Sequence, residues 1–422
     1  MGRIPHETTI DILCRLSVKD LLRFKCVSKP WCSSIEDPYF IKFHLSHSLK
    51  TNTNHSLILR HREYHFFSVN CDSLETTQIL NHPFGEPKRT IQILGSCNGL
   101  LALVNDDDSI LLWNPSTRES QVLPSNEIEF VSPPPGIWLY VSQRSPPSGY
   151  IARSTYYGFG YDPISDDYKL VRMIQSYGLH DENVHSEAKV YSLRSNRWRR
   201  IKDFCFYLNF SREIGILANN ALHWMVFRTP EPLNKELVGF DLGSEEFRFL
   251  ELPDCYLDEA FFFDIKAMGG DICLTATFRD FINVDVWIMK DYGVKESWIK
   301  LISYYEPESI PASPFPVPLA FSKNGDKVLL FIAYKWCHSA TRTDKFVWYD
   351  LESQRVEKVE IRGPPASFDV DLYVDSLVPL NTNDLMFYNE MPEVNFLYLT
   401  GFAFIIVRCN LDFQIYYRIL LY

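Results

Sequence analysis

The sequence predicts a mainly β fold: a β-propeller of about six blades preceded by a small helical module. Three observations carry this. Helical periodicity and helix-capping residues are confined to residues 3–46. After residue 56 the chain becomes short apolar runs separated by turn dipeptides, the pattern of consecutive antiparallel strands. Those runs recur in four-strand units of roughly 40 to 50 residues, the period of propeller blades.

In the first predicted helix Ile10, Leu13 and Leu16 lie three apart and share a face; Pro5 and Glu7 open it and Ser17 closes it. Ser17 then begins a capping-box-like start, Ser17-Val18-Lys19-Asp20, after which Val18, Leu21 and Leu22 are apolar at helical spacing. Ser28 repeats the device before Pro30 and Trp31. Asp37-Pro38 starts a fourth short helix carrying Phe40, Ile41 and Leu45. So small a module cannot bury a self-sufficient core, and its apolar residues on several faces imply a partner or a neighbouring domain. Spacing alone leaves open a helical cap on the domain that follows. The division expected is a module at 1–46, a linker at 47–55, a propeller at 56–378 and an unassigned apolar tail at 379–422.

The clearest β unit runs from Thr90 to Pro124: TIQIL, a turn at GSCNG, LLALV, a turn at NDDDS, ILLWN, a turn at PSTRE, then SQVLP. Asn98-Gly99 and Asp107-Asp108 are tight-hairpin dipeptides, so consecutive strands pair antiparallel. The third-to-fourth-strand signature of this unit recurs as FFSVNCDSLETTQIL, AKVYSLRSNRWRRI, LVGFDLGSEEFRFLELP, VDVWIMKDYGVKESWIKLI and KFVWYDLESQRVEKVEI. A preceding hairpin turn recurs at Asn98-Gly99, Asp166-Asp167, Asn219-Asn220, Gly269-Gly270 and Asn324-Gly325. An aromatic content of 15% suits wedge-shaped blade contacts. A stacked β-sandwich is the alternative architecture. Ser132–Pro147 and the polar run GLHDENVHSE break the rhythm and are expected to be long loops, candidate substrate contacts.

The composition bounds the chemistry. A net charge of -11 argues against nucleic acid and anionic membrane as partners. The ten cysteines show no C-x-x-C pair and read as reduced thiols. The N-terminus lacks a signal-peptide core, so cytoplasm and nucleus are the expected compartments. FLYLTGFAFIIV, from Phe396 to Val407, is too short for a membrane span and reads as a strand pair. Gly95-Ser96-Cys97-Asn98-Gly99 has the outline of a nucleophile elbow but is followed by a strand, so Cys97 reads as a buried or turn thiol. His61, Glu63 and His65 would share one face of a strand, without further metal ligands. Gly158-Phe159-Gly160 reads as a β-turn, and Asp166-Asp167 and Glu245-Glu246 as solvated turn carboxylates. No catalytic residue, metal or cofactor is expected.

The run IPHETTIDILCRLSVKDLLRFKCVSKPWCSSI closely resembles the F-box, departing from it at Ser17, where plant members usually have Pro. GSCNGLL, LWNPSTRE, YYGFGYDPISDDYKLVRM and NNALHWMV resemble the kelch-like F-box associated domain of plant F-box families, the S-locus and defence-regulator families among them. The resemblance implies docking on a Skp-type adaptor through Pro5, Ile10, Leu13, Leu16, Leu21, Leu22, Val27, Ser28 and Trp31, and through the adaptor on a cullin and a RING subunit. It implies a non-catalytic receptor whose propeller holds a protein substrate for ubiquitination. A kelch-type scaffold acting outside a ligase is the alternative.

Overall fold

Four helices open the chain: α1 (His6–Cys14), α2 (Val18–Phe24), α3 (Lys29–Glu36) and α4 (Pro38–Thr51). The computed structural model describes residues 5–62, 64–85, 90–126, 138–140, 150–177, 184–208, 212–229, 235–253, 260–278, 283–305, 315–333, 344–364, 368–380, 394–399 and 402–407. α1 starts after Pro5 without a side-chain cap, and the other three helices start where the sequence places one. Ser17 Oγ accepts from the Asp20 N–H at 3.1 Å and donates to the Asp20 carboxylate at 2.7 Å. Ser28 Oγ accepts from the Trp31 N–H at 3.3 Å. Asp37 Oδ1 accepts from Tyr39 and Phe40 at 2.8 and 3.2 Å. These bonds satisfy helix-end donors that have no partner within the helix.

Two helix boundaries differ from expectation. α1 ends at Cys14, with Arg15 as its C-cap, so Leu16 lies in the following turn. α4 runs to Thr51 and stops at Asn52, whose left-handed φ of 49° ends it, so much of the predicted linker 47–55 is helix. The helix continues because its later turns are still covered: Leu45 and Ser48 are buried.

The strands form six four-stranded units in a ring, one for each predicted repeat. Blade 2 is Ile91–Cys97, Leu100–Asn105, Ile110–Trp113 and Ser120–Val122. Blade 3 is Tyr150–Asp162, Asp167–Tyr177, Val184–Ser192 and Arg197–Arg200, with Trp138–Tyr140 and Arg212–Ile214 added parallel to its first strand. Blade 4 is Ile216–Ala218, Ala221–Phe227, Lys235–Asp241 and Phe247–Leu250. Blade 5 is Ala260–Met268, Asp271–Phe278, Asn283–Met289 and Trp298–Tyr305; blade 6 is Phe315–Phe321, Lys327–Ala333, Lys345–Asp350 and Val356–Val359. Blade 1 joins the two ends of the domain. Its outer strands are His55–His61, His65–Asn70 and Gln78–Leu80, and its innermost strand is Asp369–Val374, paired antiparallel with His55–His61. The innermost strands touch in sequence around the ring, and Asp369–Val374 meets both Phe315–Phe321 and Ile91–Cys97.

Each gap between blades holds one apolar cluster, which explains strands buried at every residue. In Leu100–Asn105 the side chains of Leu100, Ala102 and Val104 pack toward blade 3, while Leu101 and Leu103 pack toward blade 1. Both faces are covered, so the apolar run is continuous where a half-solvated strand would alternate. The Phe396–Val407 segment forms an antiparallel strand pair, Val394–Leu399 with Phe402–Val407. The predicted loop at 132–147 lies outside the described residues except for Trp138–Tyr140. In GLHDENVHSE, residues 178–183 lie outside them, and Val184–Glu187 belong to a blade 3 strand.

Three local readings are corrected. Gly158, Phe159 and Gly160 lie inside a strand, and the glycines serve contact with blade 4: a Cβ on Gly158 would sit 2.7 Å from Trp224, and one on Gly160 would sit 2.7 Å from Leu242. His61 and His65 face each other across a hairpin and so do not share one strand; Glu63 lies outside the described residues. Asp167 and Glu245 are partnered, and Asp167 is buried.

Candidate functional site

The helical module is built round Leu13, Val18, Leu21, Ile35, Phe40 and Ile41, all buried. Leu13 and Leu21 have no exposed surface at all. Their predicted adaptor contacts are therefore corrected to core positions; helical spacing identifies an apolar face but not what covers it. The other candidates reach the surface. Pro5 and Val27 are exposed, Val27 by 60%, while Ile10, Leu16, Leu22, Ser28 and Trp31 are half-buried. Trp31 packs against Phe24 at 5.5 Å between ring centroids. Exposed Ile12 adds an apolar side chain that the sequence reading did not select. Its signal was present, since it stands on the α1 face opposite the buried one.

α4 carries the module onto the propeller. Lys42 Nζ contacts both carboxylate oxygens of Asp166 at 2.9 Å, in the blade 3 turn that follows the innermost strand. The Tyr161 hydroxyl donates to the same carboxylate. His44 is buried in α4 and donates through Nε2 to the Leu16 carbonyl at 2.9 Å; burial lowers its pKa, so it packs as neutral imidazole. The cluster that fills the gap between blades 2 and 3 runs on without a break into the module core.

The chain beyond blade 1 locks this joint. Asp375 donates its N–H to the Asn54 carbonyl at 2.7 Å, and its carboxylate accepts from Ser56 and Ser116 at 3.1 and 3.0 Å. Asn114, fully buried in LWNPSTRE, donates to the Ser376 and Val378 carbonyls at 3.2 and 2.9 Å. It accepts from the Ser116 N–H and the Tyr373 hydroxyl at 2.9 and 3.1 Å. Gly99, with φ +83°, turns where a Cβ would strike Ser376 Oγ at 2.0 Å. Leu377, Val378 and Leu380 then join the cluster shared with the helices. The motifs GSCNGLL and LWNPSTRE thus encode ring closure and its connection to the helical module.

These contacts fix a near face of the propeller, formed by the turns after the innermost strands, on which the helices sit. Several of those turns are dipeptides: Asn98-Gly99, Asn219-Asn220 and Gly269-Gly270. The opposite strand ends, such as Asn105 and Ile110 in blade 2, form the far face.

The ionisable groups described here serve packing. Lys169 is held by Asp162, Glu245 and the Leu242 carbonyl at 2.9, 3.0 and 2.6 Å. Burial alone would lower its pKa, but bonds to the two carboxylates raise it, a bridge from blade 3 to blade 4. His223 bonds to the Ile216 carbonyl at 3.2 Å and the Tyr292 hydroxyl at 2.8 Å, and burial pulls its pKa down to about 4. Trp224 Nε1 donates to the Tyr157 carbonyl at 3.0 Å. Burial pushes the Cys97 thiol up to about 12, away from the thiolate a nucleophile needs. Among the described residues no group of three His, Cys, Asp or Glu side chains is placed to hold a metal ion, and no helix is long and apolar enough to cross a membrane.

Residues 1–43 match the F-box domain model, and residues 55–383 match that of the F-box associated beta propeller domain. The F-box protein CPR1 of Arabidopsis thaliana is 36% identical over 395 residues, covering 90% of this chain and 89% of its own. F-box protein At4g22390 of the same plant is 30% identical, covering 90% of each. F-box/kelch-repeat protein At3g23880, also from Arabidopsis, is 31% identical over 71% of this chain and 79% of its own.

Proposed function

The chain belongs to the plant F-box proteins that carry an F-box associated β-propeller, and from that premise we propose that it is the substrate-recognition subunit of a Skp-cullin-F-box ubiquitin ligase. The F-box binds a Skp-type adaptor, which brings the cullin and RING subunits, and the propeller binds a protein substrate marked for degradation. The chain needs no catalytic residue for this. It raises the effective concentration of substrate lysines near a ubiquitin-loaded enzyme supplied by other subunits. Cytoplasm and nucleus are the compartments in which such a complex would act.

The observation that carries the reading is the rigid joint. α4, residues 52–54 and residues 375–380 tie the helices to the near face through Lys42, Asn54 and Asp375. A receptor must hold its substrate at a fixed position relative to the adaptor, and a bonded joint does so where a flexible linker would not. The helices sit on the near face beside blades 2 and 3; the far face, clear of them, is the proposed substrate surface.

The test is co-purification with a Skp-type adaptor. Val27→Asp alters an exposed position without touching the module core, and combined with Trp31→Ala it should weaken binding at least about thirtyfold. Leu21→Ala would unhinge the module and so is uninformative. Unchanged adaptor binding by the double variant would refute the docking surface, and no binding by the wild type would refute the receptor role.

A further inference from the structure

Blade 3 ends in an outer strand unlike those of the other blades, none of which carries more than one basic residue. From Arg194 to Lys202 the chain reads RSNRWRRIK, five basic residues and no acidic one, in a chain whose net charge is -11. Arg194 turns inward and donates to the Ser165 carbonyl at 3.0 Å. Arg197, Arg199, Arg200 and Lys202 are exposed on the rim of the propeller. Arg200 reaches Asp203 at 3.1 Å, and Arg199 reaches Glu245, a carboxylate that Lys169 already holds at 3.0 Å and that two cations therefore share. Among the described residues Arg197 and Lys202 have no acidic partner. The blade 6 outer strand is the contrast: Glu357 and Lys358 are each matched by an opposite charge, Lys327 and Glu360, at 2.8 and 2.9 Å.

The backbone of this rim strand is open as well. Arg197–Arg200 is the last strand of its sheet and pairs, among the described residues, on one side only, with Val184–Ser192. Ile201 turns its N–H inward to the Ala188 carbonyl at 2.9 Å. Bonding alternates along an antiparallel pair, so Arg199 and Arg197 also bond inward, while Trp198 and Arg200 present their N–H and C=O groups outward. Side chains alternate in the same register: Arg197 and Arg199 share one face, Trp198 and Arg200 the other. Trp198 fixes the strand, its Nε1 donating to the Pro124 carbonyl at 3.1 Å and its ring packed on Tyr191 at 5.4 Å between centroids. An edge held in place beforehand loses little freedom when another strand pairs with it. Its uniform positive charge keeps it from pairing with a copy of itself and selects a strand of opposite sign.

We propose that the outer edge of blade 3 is a docking site for an acidic, extended segment of a partner protein, which adds to the blade as a further strand. Residues of that segment opposite Trp198 and Arg200 exchange backbone hydrogen bonds with them, and carboxylates opposite Arg197 and Arg199 pair with the guanidinium groups. Arginine suits this role because its planar fork bonds both oxygens of a carboxylate. The edge lies on the rim, away from the strand ends of the far face, and serves an acidic partner whether or not that partner is ubiquitinated.

The experiment uses the full chain and a fluorescein-labelled, alternating Glu-Val octapeptide, read by anisotropy. In the added strand its valines stand opposite Trp198 and Arg200 and its glutamates opposite Arg197 and Arg199. Saturable binding is expected, weakening as salt is raised. A Gln-Val peptide keeps the strand and loses the charge; a Glu-Pro peptide keeps the charge and loses the N–H groups that would bond to the edge. Each should bind at least about tenfold more weakly. Arg197→Glu and Lys202→Glu, both at exposed side chains, should each weaken the Glu-Val peptide about tenfold, Arg197→Lys much less, and Lys358→Glu on blade 6 not at all. Should Arg197→Glu lose its cooperative circular dichroism melt, the Lys202→Glu titration decides. No saturable binding, a Gln-Val or Glu-Pro peptide bound as tightly, full affinity in the folded glutamate variants, or tighter binding of a uridine oligonucleotide would overturn the proposal.

Discussion

Blade 1 and blade 4 share one strand order but are assembled by different means. In blade 4 the innermost strand passes into its neighbour through Asn219 and Asn220, both left-handed, with φ of 49° and 59°. In blade 1 the innermost strand comes from the other end of the domain, so no turn exists at that corner. A polar network replaces it: Asp375 to Asn54, Ser56 and Ser116, and Asn114 to the carbonyls of Ser376 and Val378. Where a covalent turn supplies proximity, a few left-handed residues suffice. Where it does not, buried polar side chains must hold strands that the unfolded chain keeps far apart.

The largest break in this comparison is to remove the closing strand. A chain ending at residue 368 loses Tyr373, Val374, Leu377, Val378 and Leu380 from the core. At about 2 kcal/mol for each buried side chain, this removes about 10 kcal/mol, comparable with a domain's total stability. It should show no cooperative melt by circular dichroism, while a chain ending at residue 380 should melt within a few degrees of the full chain. Cooperative melting of the shorter chain would mean that five blades hold together without the closure.

Acid distinguishes the two corners by sign. Burial holds the Asp375 pKa above its ordinary value, against the bonds from Ser116 and Ser56. Its penalty is present at neutral pH and fades as the pH falls through the folded value. Burial holds His223 at about 4 instead of 6.5, so blade 4 loses stability as the pH drops through that window, by about 3 kcal/mol in all. In urea titrations between pH 7 and 4, His223→Gln should flatten the acid loss and Asp375→Asn should steepen it. Parallel profiles for the two variants would show that neither group sets the pH response of its blade.

What the sequence made legible follows the same division. All six strand signatures fall on the third and fourth strands of six blades, and all five hairpin dipeptides fall between first and second strands, because both signals are local. Blade 1 lacks a sixth dipeptide for the reason given above. What failed to show depends on distant partners. Gly158 and Gly160 look like turn residues until Trp224 and Leu242 come against them. Asp166 looks solvated until Lys42 arrives from α4. Leu13 and Leu21 carry the F-box pattern as docking residues would, yet α3 and α4 cover them. In the candidate site the capping residues were legible; the joint through Asp375 and Asn114 was not.

The finest test compares two glycines with the same kind of backbone. Gly99 has φ +83° and Gly325 φ +74°, each in the turn after an innermost strand. A Cβ on Gly325 meets no atom within 4 Å, so Gly325→Ala should cost about 1 kcal/mol, the left-handed strain alone. A Cβ on Gly99 would lie 2.0 Å from Ser376 Oγ and 2.9 Å from the Val374 carbonyl. Ser376 has no exposed surface, and its hydroxyl donates to the Asn98 carbonyl at 2.8 Å, so it cannot swing clear. Gly99→Ala should therefore cost about 3 kcal/mol, with the excess over Gly325→Ala measuring displacement of the closing segment. In urea unfolding that excess should vanish in a Ser376→Gly background, where both the colliding hydroxyl and its Cβ are gone. If it persists there, the crowding at Gly99 comes from the Val374 carbonyl, and closure is held by the strand pairing more than by the segment beyond it.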